Sequence, residues 1–164
     1  MIYVSEVIES IVTGLSSNCL FMFGNWAEIQ KELMLKGAKK GTQKYPLIIL
    51  HSEIEETIPN DDRYQAILNL SLYIVTNSGQ SLSTSDRLDT VYKTVLYPIY
   101  QEFLRDLYFS CYFDFTANPT MGLVPHTKKD LYYYNTASTS QNKLNDVIDA
   151  IEIKFKDLKL KREL

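Results

Sequence analysis

The sequence predicts an α+β fold, a mainly antiparallel β-sheet with a long helix and shorter N-terminal helices packed on it, as a single domain over residues 1–164. Three observations carry this. Leu68, Leu70, Leu72 and Ile74 alternate with Asn69, Ser71 and Tyr73, the period of two that marks a strand with one core face. From Leu88 to Tyr108 apolar residues recur at every third or fourth position, the period of a long helix. Helical and strand patterns also follow one another without regular strand–helix alternation, which favours α+β over a doubly wound parallel sheet.

In chain order, Ile2, Val4, Val7, Ile8, Ile11, Val12 and Leu15 form one apolar stripe and predict a first helix, ended by Gly14 and Ser16-Ser17. The short run Leu20-Phe21-Met22-Phe23 stands before a second helix, Trp26 to Lys36, for which Asn25 and Glu28 offer a capping box. Gly37 to Lys44 reads as a basic loop. Tyr45 to Ser52, YPLIILHS, is a strand whose apolar middle implies burial on both faces. The following EIEETIPNDD, from Glu53 to Asp62, reads as an acidic loop. Tyr64 to Thr76 is the next strand, and Asn77 to Ser85 a polar loop with Thr84 or Ser85 capping the long helix.

Asp86, Arg87 and Asp89 are expected to serve the start of that helix and its dipole. Pro98 lies inside the helical pattern, where it removes a hydrogen bond and clashes with the preceding turn, so a kink is expected near Val95 to Pro98. Tyr112 to Phe115 and Leu131 to Tyr134 are shorter strand candidates, and Ser138 to Lys143 is polar and expected to be exposed. A closing strand starts near Val147. In it Ile151, Ile153 and Phe155 share one face while Leu158 and Leu160 have the other parity, so a bulge or break is expected at Lys156-Asp157.

Composition narrows the function. The chain has 45% apolar and 23% charged residues, values of a globular protein that needs no disulfides to fold. Seventeen Lys and Arg against 20 Asp and Glu leave a net charge of -3, without the basic excess of a dedicated duplex-binding module. Cys19 and Cys111 sit in apolar surroundings and are expected to be buried free thiols of a reducing compartment. The opening MIYVSEVIES lacks the pattern of a signal peptide, and no apolar run approaches the ~20 residues needed to cross a bilayer. Twelve tyrosines, amphipathic and cheap to immobilise, point towards surfaces buried against another chain.

One motif raises a catalytic question. AIEIKFK, residues 150 to 156, sets an acid, an apolar residue and a lysine in a strand-like frame, and a metal-dependent nuclease could use Glu152 as a Mg²⁺ ligand and Lys154 to position the attacking water. A second acid is then required on a neighbouring strand, with Asp130 and Asp114 the upstream candidates, neither in a well-formed apolar strand. The alternative makes Glu152, Lys154 and Lys156 the wet face of the closing strand, free to meet a neighbouring subunit, with Ile151, Ile153 and Phe155 buried. His51 and His126 are isolated, the cysteines lack metal-ligand spacing, and no phosphate loop, dinucleotide turn or nucleophile elbow is present, so no metal, cofactor or catalytic residue is expected. Glu53, Glu55, Glu56, Asp61 and Asp62 are expected to be solvated or to repel DNA passing nearby. Lys36, Lys39 and Lys40 are expected to complement acids on a neighbouring copy.

The element order resembles that of the tail terminator and neck proteins of long-tailed phages: YPLIILHSEIEET, LNLSLYIVT, the helix DTVYKTVLYPIYQEFLRDL and the closing AIEIKFKDLKL, across most of residues 45 to 164. The resemblance implies a small sandwich that forms a ring, commonly a hexamer, where the tail tube meets the head, with DNA passing through its centre without sequence-specific binding. It implies no catalysis, no cofactor and no membrane, synthesis in the host cytoplasm and a final place in the virion, and contacts to tail tube and neck or connector proteins. The segment from Cys19 to Lys36 and the Pro98 position depart from the pattern and leave a tail completion or head-tail joining role open. No functional residue carries over individually. The alternatives are the metal-dependent nuclease and a small bacterial binding module.

Overall fold

The elements follow in the order α1 (Val4–Gly14), β1 (Leu20–Gly24), α2 (Trp26–Ala38), β2 (Leu47–His51), β3 (Glu55–Thr57), β4 (Tyr64–Asn77), a long helix, β5 (Phe113–Asp114), β6 (Thr127–Leu131) and β7 (Ile148–Lys161). This is a computed structural model, and it describes residues 2–39, 41–79, 81–115, 124–132 and 147–162. The fold is α+β, as the sequence predicts.

All the strands among the described residues belong to one sheet, built on the antiparallel pair β4 and β7. One edge of β4 carries β2 and then β3, and β1 lies outside β2 as its parallel neighbour. The free edge of β7 carries β6 and β5. The sheet therefore runs from β1 at one border to β5 and β6 at the other.

Alternation along the strands builds a core on each face. Ile48, Leu50, the even positions Ala66 to Ile74 of β4, and Ile151, Ile153 and Phe155 pack against α1 and the long helix. Leu47, Ile49, Tyr73, Val75, Ile148 and Ala150 pack against α2 through Ile29 and Leu33. This explains the unbroken apolar run of β2, which is covered on both sides. Helix α2 covers only part of its face, so Ser71 and Lys154 remain open beyond it.

The parity change in β7 is a β-bulge. Leu70 pairs with Phe155 and Leu68 with Leu158, so Lys156 and Asp157 together oppose Asn69. Asp157 has φ +56°, a left-handed conformation that aspartate tolerates, and its amide donates to Asn69 Oδ1 at 2.8 Å. The bulge returns Leu158 and Leu160 to the same core as Phe155.

At the start of α2 the capping box forms as expected, with Asn25 Oδ1 accepting from Ala27 and Glu28 and Glu28 accepting from the Asn25 amide. Gly24 before it has φ +157°, and a Cβ there would meet Glu28 Oε2 at 2.8 Å.

Several expectations are corrected. The stretch from Glu53 to Asp62 is not all loop: Glu55–Thr57 pairs with β4, which its three exposed, non-periodic residues did not signal. Ser83, one residue before the expected caps, caps the long helix and forms a reciprocal box with Asp86. That helix opens with an α-turn, Thr84–Arg87, widens into a π-helical stretch, Leu88–Leu96, and continues as α-helix, Tyr97–Phe109. Next to Pro98 the helix changes its hydrogen-bond period. Pro98 stands in the first turn of the new α-helical stretch, where its missing N–H costs little.

Arg87 does not serve the helix dipole but is buried against Asp149. Cys111 is exposed, because the chain turns there with φ +63°, and Cys19 is only half-buried. The strand placed at 131–134 lies earlier, at Thr127–Leu131, and the one placed at 112–115 shrinks to Phe113–Asp114. Residues 133–134 and the expected polar stretch 138–143 lie outside the described residues.

Candidate functional site

The register settles what AIEIKFK places where. Ile151, Ile153 and Phe155 are buried, while Lys154 and Lys156 are exposed. Glu152 is only partly exposed: it accepts from the Tyr73 hydroxyl at 2.7 Å, and the Lys154 ammonium stands 3.4 Å away. Tyr73 is itself held edge-on by Trp26 of α2, with ring centroids 4.8 Å apart. The carboxylate is thus tied into the rim of the core under α2.

Neither second acid joins it. Asp130 pairs in register with Ile151 and faces the long helix, where it accepts from the Tyr97 hydroxyl at 2.8 Å and the Lys128 ammonium at 2.6 Å. Since side chains alternate across a strand, Asp130 and Glu152 point to opposite faces of the sheet. Asp114 pairs with Lys159, well along β7, and accepts from Tyr64 at 2.6 Å. Among the described residues no three metal-ligating side chains come together. Glu152→Ala is expected to cost about 1 kcal/mol in urea unfolding through the lost Tyr73 hydrogen bond. Mg²⁺-dependent DNA cleavage that disappears in the folded variant would instead make Glu152 catalytic.

The exposed half of the sheet carries a broad groove of about 820 Å³. Glu53, Ile54 and Glu55 border it beside β4, Pro125, His126 and Thr127 border it beside β7, and Lys154 and Lys156 flank its floor. Glu55 is engaged by the Asn69 amide at 2.8 Å, and the Glu53 carboxylate lies 3.9 Å from His51 Nδ1. The rest of the acidic stretch belongs elsewhere. Glu56, Asp61 and Asp62 border a second groove of about 470 Å³ at the other end of β4, together with Tyr3, Ile58 and Arg162. There the Arg63 guanidinium donates to Asp61 at 2.8 Å and holds its carboxyl down at about 2, while Asp62 lies 3.8 Å from Arg162. The predicted acidic cluster is therefore divided between two surfaces.

The predicted basic group is likewise dispersed. Lys36 is half-buried in the last turn of α2 and Lys39 is exposed at its C-cap, whereas Lys40 lies outside the described residues.

A polar–aromatic seam that the sequence did not announce ties β6 and β7 to the long helix. The Tyr100 hydroxyl meets His126 Nε2 at 2.6 Å, Lys128 lies over the Tyr97 ring at 4.5 Å, and Tyr92 donates to the Ala150 carbonyl at 3.1 Å. Burial raises the Tyr92, Tyr97 and Tyr100 hydroxyls above the usual tyrosine value, with the charge of Asp130 adding to each. A raised acid favours its neutral form in the folded state. Its contribution is full below the unfolded value, about pH 10, and falls as pH rises through the folded value. Stability is expected to drop above about pH 10 in step with tyrosinate absorbance, and Tyr97→Phe to make that drop shallower in unfolding measured across the alkaline range.

The described helices include none long and apolar enough to cross a membrane. Comparison with family models, curated proteins and solved structures finds no match. The surface itself carries the remaining information.

Among the described residues, large apolar side chains are exposed on β1 and α2, at the second groove, and at the end of the long helix, where Phe109 is 58% exposed. Phe23 of β1 is 50% exposed on the sheet face that carries α1, and Met34 and Leu35 of α2, the helix on the opposite face, are 58% and 61% exposed. Tyr3 and Ile58, 57% and 80% exposed, stand at the second groove. Leu72, level with β2, and Tyr64, at that groove, are separated by about eight residues of β4, a span of roughly 26 Å. Sequence reasoning missed these residues. The available signals were Met34-Leu35, which fall outside the Ile29–Leu33 stripe, and Ile58, an isolated apolar residue among acids.

Proposed function

We propose that this chain is a structural virion protein of the tail terminator or neck kind, a subunit of a ring at the head-tail junction of a long-tailed phage. The observation that carries the reading is that exposed apolar side chains stand both on β1 and α2, at Phe23, Met34 and Leu35, and at an end of the strands, at Tyr3 and Ile58, besides Phe109 at the end of the long helix. A junction ring needs two such surfaces. Its lateral contact joins one patch to a different patch on the next copy, the heterologous arrangement that closes into a ring. Its axial contact meets the tail tube or a connector protein. The tyrosines and the near-neutral charge fit a protein that is half-buried in an assembly and lets DNA pass without gripping it.

The register speaks against the nuclease, since it sends Asp130 and Glu152 to opposite faces. Native mass spectrometry followed by negative-stain imaging tests the proposal, with a closed ring as the expected result. A chain that stays strictly monomeric at high concentration, alone and mixed with tail tubes, overturns it.

A further inference from the structure

Strand edges that meet solvent normally carry charges, prolines or bulges that discourage pairing with another chain. Three of the strands at the edges of this sheet follow that rule. β3 reads Glu55-Glu56-Thr57 and β5 ends on Asp114, while the charges of β6, Lys128, Lys129 and Asp130, guard it against another charged edge and leave an uncharged strand as its compatible partner. β1 does not. Its five residues, Leu20-Phe21-Met22-Phe23-Gly24, contain no charge and no proline, and among the described residues no strand pairs with its outer side. Phe23 points to the same face as Phe21 and Leu50, yet stays half exposed at the rim of the core.

We infer that the outer edge of β1 receives β6 of a second copy, so that the sheet continues from one subunit into the next. This rests on the ring reading and supplies its lateral contact. β6 is the matching partner on three counts. It lies at the opposite border of the same sheet, so repeated addition proceeds in one direction, head to tail. It has five residues, as β1 has. Its charges also suit an uncharged neighbour. Lys128 and Asp130 are already paired with each other at 2.6 Å and the side chain of Lys129 is exposed, so approach of the apolar β1 buries no unmatched ion, whereas pairing β6 with β6 would bring its lysines together. Backbone hydrogen bonds then give affinity along an edge that otherwise offers unpaired N–H and C=O groups.

The test uses the full chain. F23K places a charge on the edge at a half-exposed position and is expected to yield folded monomers by circular dichroism and native mass spectrometry. F109K, at a comparably exposed position at the end of the long helix, is expected to keep the ring. In a background with Cys19 and Cys111 changed to serine, F23C with K128C, which share one sheet face, is expected to form intersubunit disulfides, and F23C with K129C is not. A wild-type ring that survives F23K overturns the edge inference and leaves the ring standing. Cross-links between F23C positions alone overturn the choice of β6. A monomeric wild-type protein overturns both readings.

Discussion

Arg87→Ala is expected to lower the unfolding free energy by about 3–5 kcal/mol, because it leaves a buried carboxylate without its counter-charge. The Arg87 and Asp149 side chains are 3% and 0% exposed and meet at 2.9 Å. Arg87 also donates to the Ser78 hydroxyl at 2.6 Å and to the Leu82 and Gly79 carbonyls at 3.1 and 2.5 Å. One guanidinium thus ties the loop after β4, the start of the long helix and the start of β7 to one point. Lysine cannot replace it, since a single ammonium does not reproduce the fork. The double variant Arg87→Leu with Asp149→Leu removes both charges together and is expected to recover a large part of the loss. Urea unfolding of wild type, single and double variants checks this. A single-variant cost below about 1 kcal/mol would place the pair in the class of solvated surface bridges.

Phe103→Ala is expected to cost about 3–5 kcal/mol, the loss of a large buried side chain together with the cavity left behind. Phe103 is fully buried on the face of the long helix that meets the sheet, in the core with Phe155, Ile153 and the α1 stripe. Six residues on, Phe109 is 58% exposed at the helix end, and Phe109→Ala is expected to stay within about 0.5 kcal/mol of wild type. Measuring both by chemical unfolding separates burial from aromatic character. Equal effects would contradict the assigned packing of the helix.

Much of the fold was legible because periodicity reports burial directly. The stripe of α1, the alternation of β4, the capping box of Asn25 and Glu28 and the parity change at Lys156-Asp157 each rest on residues close in sequence, and each appears in the structure. The candidate site was legible only in part. AIEIKFK identifies its buried and exposed positions, but whether Glu152 has a partner acid depends on which strand lies beside β7 and in what register. The answer, that Asp130 sits opposite Ile151 and faces the other way, is a property of the β6–β7 pairing.

The amino-acid sequence by itself determined the local elements and their wet and dry faces, because side-chain size, branching and capping chemistry act over a few residues. Only the tertiary structure decided that Arg87 is an internal anchor for Asp149, 62 positions away, since a charged residue in a first helical turn looks the same whether its partner is water or a buried acid. It also decided that LFMFG is an outermost strand. An uncharged five-residue run is the ordinary signature of a buried central strand, and only the strand order reveals that, among the described residues, β1 has one side without a neighbouring strand.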